Sequence, residues 1–189
     1  MAEALLSLEQ VACVRGGRML FENVSLLLGR GDAAVVTGPN GVGKSSLLRL
    51  AAGLLRTAAG RVERNYQLAF ADEGAALDER LTLARALAFW AKLDGASAEA
   101  GMEAMDLVPL ARVPVWMLST GQRKRAVLAR AISSRASLWL LDEPSNGLDP
   151  EGQQRLAAAM AQHRRNGGAI LAASHLSLGL EGAQAVALS

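Results

Sequence analysis

The chain has 189 residues, 51% of them hydrophobic and only 4% aromatic, with a formal net charge of +2 from 20 basic and 18 acidic side chains. That length suits one domain with at most a small appended part, and the hydrophobic share excludes a disordered tail. The near balance of charge argues against a nucleic-acid surface, although the isoelectric point is near 9.1.

Cys13 is the only cysteine, which excludes an internal disulfide and a thiolate metal cluster; in its apolar run it reads as a small buried hydrophobe. Residues 1–6 have neither the basic flank nor the long apolar stretch of a signal peptide. The longest run free of Asp, Glu, Lys and Arg, Asn166 to Leu180, is interrupted by His175 and serines. It falls short of the roughly 18 apolar residues a membrane span needs. The expectation is a cytoplasmic chain that reaches a membrane only through another polypeptide.

In chain order, Leu5 to Val14 and Met19 to Leu28 flank Arg15-Gly16-Gly17-Arg18 as an antiparallel pair. After the turn residues Gly29 to Asp32, Ala33 to Thr37 reads as a short apolar strand of the kind buried in a parallel sheet. Ser45 to Leu55 carries Leu47, Leu48, Leu50, Leu54 and Leu55 on a broad helical face, with Gly53 weakening its last turn. Arg61 to Phe70 returns as one strand. Residues 72–117 form a helical insertion: Thr82 heads a helix with Leu83, Leu87 and Trp90 on one face, and Ala96 to Leu107 is a second helix ended by Pro109 and Pro114. Gln122 to Ser134 and Gly152 to Arg165 read as helices, Leu138 to Leu141 and Ala169 to Ala173 as buried strands, and Ala185 to Leu188 as an edge strand. Alternating strands and helices imply an α/β fold with a mostly parallel sheet. With no internal repeat or low-complexity linker, residues 1–189 read as one continuous domain.

The residues Gly38-Pro39-Asn40-Gly41-Val42-Gly43-Lys44-Ser45 satisfy the phosphate-loop pattern in its required context, after a strand and opening a helix. Gly41 and Gly43 let backbone N–H groups converge on phosphate, the helix dipole favours the same anion, Lys44 reaches the outer phosphates and the Ser45 hydroxyl suits Mg²⁺. ATP and Mg²⁺ are therefore the expected cofactors. Asp142 and Glu143 end a buried strand, where carboxylates are poorly solvated unless they serve a cation. Asp142 suits the metal and Glu143 the attacking water. Read alone, the two are equally well explained as loop-entry carboxylates.

Leu118-Ser119-Thr120-Gly121-Gln122 resembles the signature motif of ATP-binding-cassette (ABC) proteins, with Thr120 where a second glycine is common. Ser119 offers a hydroxyl and Gly121 an unobstructed N–H at a helix start, which suits a terminal phosphate and also suits ordinary capping. The resemblance implies the ABC form of the phosphate-loop NTPase fold, with an N-terminal antiparallel region and a small helical subdomain. It further implies a head-to-tail dimer in which Ser119, Gly121 and Gln122 of one cassette face the γ-phosphate held by the other. Ser145-Asn146-Gly147-Leu148-Asp149 is similar to the family's interface loop, though Asp149 before Pro150 suits a helix cap equally well. His175, ending an apolar strand, resembles the family's switch histidine and is assigned with Glu143 to catalysis. Arg123, Lys124 and Arg125 read as a solvated first turn, and His163 as surface.

Two departures from the family pattern stand out. Val14-Arg15-Gly16-Gly17 occupies the stretch where the family carries an adenine-stacking aromatic, and Arg15 is the flat group nearest to it. The glutamine expected after the strand ending at Phe70 is absent; Asp72 and Glu73 are the nearest polar residues and Gln67 comes early.

Within the family, Leu81 to Ala91 with its Phe89-Trp90 pair, the start Arg15 to Phe21, and Leu138 to Pro144 are similar to the ATP-binding subunits of cytochrome c maturation. That resemblance implies a peripheral ATPase on the cytoplasmic face of the inner membrane, docked on integral membrane subunits. It would drive haem export, touching haem only through those partners. A cassette of another small transporter with different cargo is the alternative. An ATPase acting on ribosomes or nucleic acid usually carries a second cassette or a long coiled-coil insertion, and neither is present.

Overall fold

A computed structural model describes residues 4–72, 74 and 76–189. Strands β1 (Leu6–Arg15) and β2 (Arg18–Leu28) pair antiparallel about Gly16 and Gly17, both at positive φ as a two-residue hairpin turn demands. β3 (Ala33–Thr37) feeds the phosphate loop and helix α1 (Lys44–Ala52). Gly53 does more than weaken this helix. At φ 76° it ends it as a left-handed cap, so Leu54 lies outside, 66% exposed.

The stretch expected as one strand over Arg61 to Phe70 is two. β4 (Ala59–Arg64) turns back to pair with β1, and β5 (Leu68–Ala71) enters the second sheet. The helical part follows: α2 (Leu83–Leu93), headed by Thr82, and α3 (Glu99–Ala104), shorter than the Ala96 to Leu107 expected. After short 3-10 turns at Val108–Leu110 and Val115–Met117 come helix α4 (Thr120–Ser133), strand β6 (Leu138–Asp142), helix α5 (Pro150–Arg165) and strands β7 (Ala169–Ala173) and β8 (Gln184–Ala187).

The antiparallel sheet has the order β2-β1-β4 and the parallel sheet β5-β6-β7-β3-β8. Alternation along its central strands splits the core in two. Leu138, Leu140, Ala169 and Leu171 face α1 and the antiparallel sheet, while Trp139, Leu141, Ile170 and Ala172 face the other side with Leu156, Met160 and the helical part. Continuous apolar runs are what a sheet covered on both faces requires. Cys13 is buried in the first of these clusters, and burial pushes its thiol pKa up.

The helical part is locked to α4 at close range. Ser133 Oγ accepts from the Gly101 N–H at 3.1 Å and donates to the Ala98 carbonyl at 3.2 Å, and a side chain at Gly101 would collide with the Ala129 carbonyl. The three basic residues expected as solvated are instead spokes of α4. Arg123 donates to Glu79 and to the Trp116 and Leu118 carbonyls, Lys124 to the Asp142 carbonyl at 3.3 Å, and Arg125 to the Met105 and Asp106 carbonyls. His163 is not free surface either. Its ring stacks on Trp139 with centroids 3.9 Å apart, over Gly168, and burial pushes its pKa below the usual value against the pull of the Ala169 and Ser137 carbonyls.

Candidate active site

All the parallel strands run into the same edge of the sheet, so the ends of β3, β6 and β7 deliver their loops to one place. At the end of β3, Gly38, Gly41 and Gly43 all have positive φ. Gly43 shows why no side chain fits: a Cβ there would stand 3.0 Å from the Phe21 ring and 3.2 Å from Leu20. β2 thus presses the loop against the start of α1. Lys44, only 7% exposed, donates through Nζ to the carbonyls of Gly38 at 2.9 Å and Pro39 at 3.3 Å, spanning the loop from inside.

At the end of β6, Asp142 is 6% exposed and hydrogen-bonded to Ser45. Its Oδ1 is buried with no hydrogen-bond partner. Burial holds its carboxyl pKa above the ordinary range, against the opposing pull of Ser45 and the charge of Arg49. An orphaned buried carboxylate oxygen beside a hydroxyl and a phosphate loop is a donor set that fits a hard divalent cation. No group of three or more His, Cys, Asp or Glu among the described residues could hold a metal alone.

Glu143 follows with its backbone at φ 44°, a left-handed conformation uncommon for a non-glycine residue, held by its N–H to the Ala173 carbonyl at 2.9 Å. That conformation aims the side chain across to the end of β7, where its Oε2 lies 2.9 Å from His175 Nδ1. The carboxylate is 16% exposed and the imidazole 52%, so the pair has one half-buried and one open member. Ser174, buried to 1%, clamps the bend beside His175: its hydroxyl donates to the Leu176 carbonyl at 2.8 Å and accepts from the Leu176 N–H at 3.0 Å.

Ser119, Gly121 and Gln122 stand elsewhere. Ser119 Oγ accepts from the Gln122 N–H and Gln122 Oε1 accepts from the Ser119 N–H, a reciprocal cap at the start of α4. Gly121 packs on the loop after Glu143, where a Cβ would meet the Gly147 carbonyl at 3.0 Å. Among the described residues no hydrogen bond joins these three to Gly38–Ser45, and Ser119 is exposed. Asp149 caps α5 through the Gly152 N–H at 2.7 Å.

The motifs left out three groups beside the site: Lys124 on the Asp142 carbonyl, Ser174 beside the histidine, and Arg49, which pairs at 3.7 Å with the Asp72 already noted after Phe70. Only Ser174 had a local signal, a hydroxyl two residues before its own turn partner. Gln67 lies just before β5, at the wrong end of the strand for this site, and Glu73 lies outside the described residues. Arg15 and Arg18 form an exposed cross-strand pair at the hairpin end.

Comparison with known proteins agrees with this geometry. The ABC transporter family profile matches residues 21–146. The "Cytochrome c biogenesis ATP-binding export protein CcmA" of Sphingopyxis alaskensis is 59% identical over 93% of this chain and 92% of its own length. The protein of the same name in Novosphingobium aromaticivorans is 48% identical over 100% and 97%. Among solved structures, an ATP-binding subunit of an ABC transporter superposes with a TM-score of 0.87 at 24% identity, covering 97% of this chain and 85% of that one. A putative ABC transporter ATP-binding protein from Pyrococcus furiosus gives 0.84 at 19% identity, covering 97% and 96%; at such identities the likeness shows the fold. A phosphate loop, Ser45 against the buried Asp142 and a carboxylate–imidazole pair on one sheet edge, with relatives this close, place the chain in the cytochrome c biogenesis ATP-binding export protein family of the ABC transporters.

Proposed function

We propose that the chain is the ATP-hydrolysing subunit that drives haem export for cytochrome c biogenesis, working as two head-to-tail copies on integral membrane subunits. The observation that supports it most directly is the 2.9 Å contact between Glu143 and His175 beside the phosphate loop. Lys44 and the N–H groups of Gly41 to Ser45 bind the phosphates, releasing the Gly38 and Pro39 carbonyls that Lys44 now holds. Ser45 and Asp142 would hold Mg²⁺, which when bound draws charge from the phosphate oxygens. Glu143 takes the proton from water, and His175 orients that carboxylate and reaches the terminal phosphate from its exposed edge.

The exposed start of α4 supports the two-copy arrangement. Ser119 and Gly121 stand at that helix start, and among the described residues no hydrogen bond ties them to the phosphate loop of their own chain. No described helix is long and apolar enough to cross a membrane, which suits a peripheral subunit on the cytoplasmic face held by membrane partners.

Deletion of the gene is expected to abolish haem-stained periplasmic cytochrome c, restored by this chain and not by its Glu143→Gln variant. Normal cytochromes in the deletion strain would assign the cassette to another cargo.

A further inference from the structure

Glu143 stands on a strained backbone. Its φ of 44° is one that L side chains adopt at a conformational cost, and such a residue persists only where its surroundings over-determine it. Its N–H donates to the Ala173 carbonyl at 2.9 Å, and its own carbonyl accepts from the Asn146 N–H at 3.2 Å, closing the turn that follows. The carbonyl of the preceding peptide, that of Asp142, accepts from Lys124 Nζ at 3.3 Å. The peptide that joins Asp142 to Glu143 is therefore gripped on both sides, by β7 through its N–H and by α4 through its C=O.

The two grips differ in origin. The bond to Ala173 extends the pairing of β6 with β7, in which Asp142 lies opposite Ala173. The bond from Lys124 comes from eighteen residues away, out of a helix. Lys124 is half-buried in a cavity of about 610 Å³ that Val127, Asn146 and Gly147 also line. Gly121 on the same helix sets how close α4 stands, because a Cβ there would lie 3.0 Å from the Gly147 carbonyl. A charged donor makes a stronger hydrogen bond to a carbonyl than a neutral one does. Without it, a flip of that one peptide would carry Glu143 to an ordinary negative φ and swing its carboxylate off His175.

We propose that Lys124 is a positioning residue for ATP hydrolysis. Its ammonium holds the Asp142 carbonyl, so that Glu143 keeps the left-handed backbone that aims its carboxylate at His175 and the attacking water. Because α4 also carries Ser119 as its N-cap, one rigid element sets both that helix start and the aim of the base. This inference rests on Glu143 as the proton acceptor.

Turnover of the purified chain over a range of ATP concentrations tests it. Lys124→Met keeps side-chain length and helix propensity and removes the donor. It is expected to lower kcat about 10–10²-fold, with KM for ATP changed by less than about 3-fold. Lys124→Arg keeps a charged donor and is expected to recover to within about 5-fold of wild type. In the Glu143→Gln background no base remains to be aimed, so Lys124→Met is expected to cost no further rate. An undiminished kcat in Lys124→Met, a loss that Lys124→Arg does not recover, or an equal loss in both backgrounds would overturn the inference. Wild-type turnover by Glu143→Gln alone would overturn the assignment of Glu143 itself.

Discussion

Replacing Glu143 with glutamine is expected to slow ATP turnover by about 10²–10⁴-fold while ATP still binds. Glutamine has the same shape and can keep a hydrogen bond to His175 Nδ1, now 2.9 Å from the carboxylate, but it cannot accept the proton of the attacking water. The phosphate loop, Ser45 and Asp142 are untouched by the change. Bound ATP should therefore persist between two copies, and the variant should sediment as a dimer with ATP where the wild type relaxes to monomer. Hydrolysis at the wild-type rate would remove Glu143 from the proton-accepting role.

Lys44→Ala acts earlier, on binding. The ammonium is almost wholly buried and already spans two loop carbonyls, so its position for phosphate is set before nucleotide arrives. Losing hydrogen bonds from a charged group costs about 1.5–3 kcal/mol, or roughly 10- to 150-fold in Kd. Calorimetric titration with ATP is expected to show that loss, and unchanged affinity would contradict the role of the loop. The same variant leaves the Gly38 and Pro39 carbonyls without their donor, so a small drop in melting temperature should accompany it.

The residues that were legible from the sequence are those whose constraint is local. The loop glycines are demanded by backbone angles, Asp149 and Pro150 by the start of a helix, and the apolar runs of β6 and β7 by burial on both faces. What stayed hidden depends on partners distant in the chain. The run from Ala59 to Ala71 divides because β4 finds β1, some fifty residues earlier, and no local turn signal announces that choice. Arg123, Lys124 and Arg125 look like a solvated charge run until the carbonyls of Trp116, Met105 and Asp142 are brought to them; backbone acceptors leave no mark in a sequence. His163 resembles a surface residue until Trp139 and Gly168 close on it. Asp72 acquires its neighbour Asp142 only through the register of β5 on β6. In each case the residue type was visible and its partner was not.

Site sharing between two copies is tested by mixing two inactive variants of the purified chain. Lys44→Ala damages the phosphate loop and spares the start of α4, whereas Ser119→Arg places bulk and charge at that exposed helix start and spares the loop. Each variant alone is expected to hydrolyse almost no ATP. Head-to-tail pairing of one with the other rebuilds a single site from the loop of the second and the helix start of the first. The mixture is predicted to hydrolyse ATP well above either variant alone, and a mixture no more active than its components would contradict the shared site.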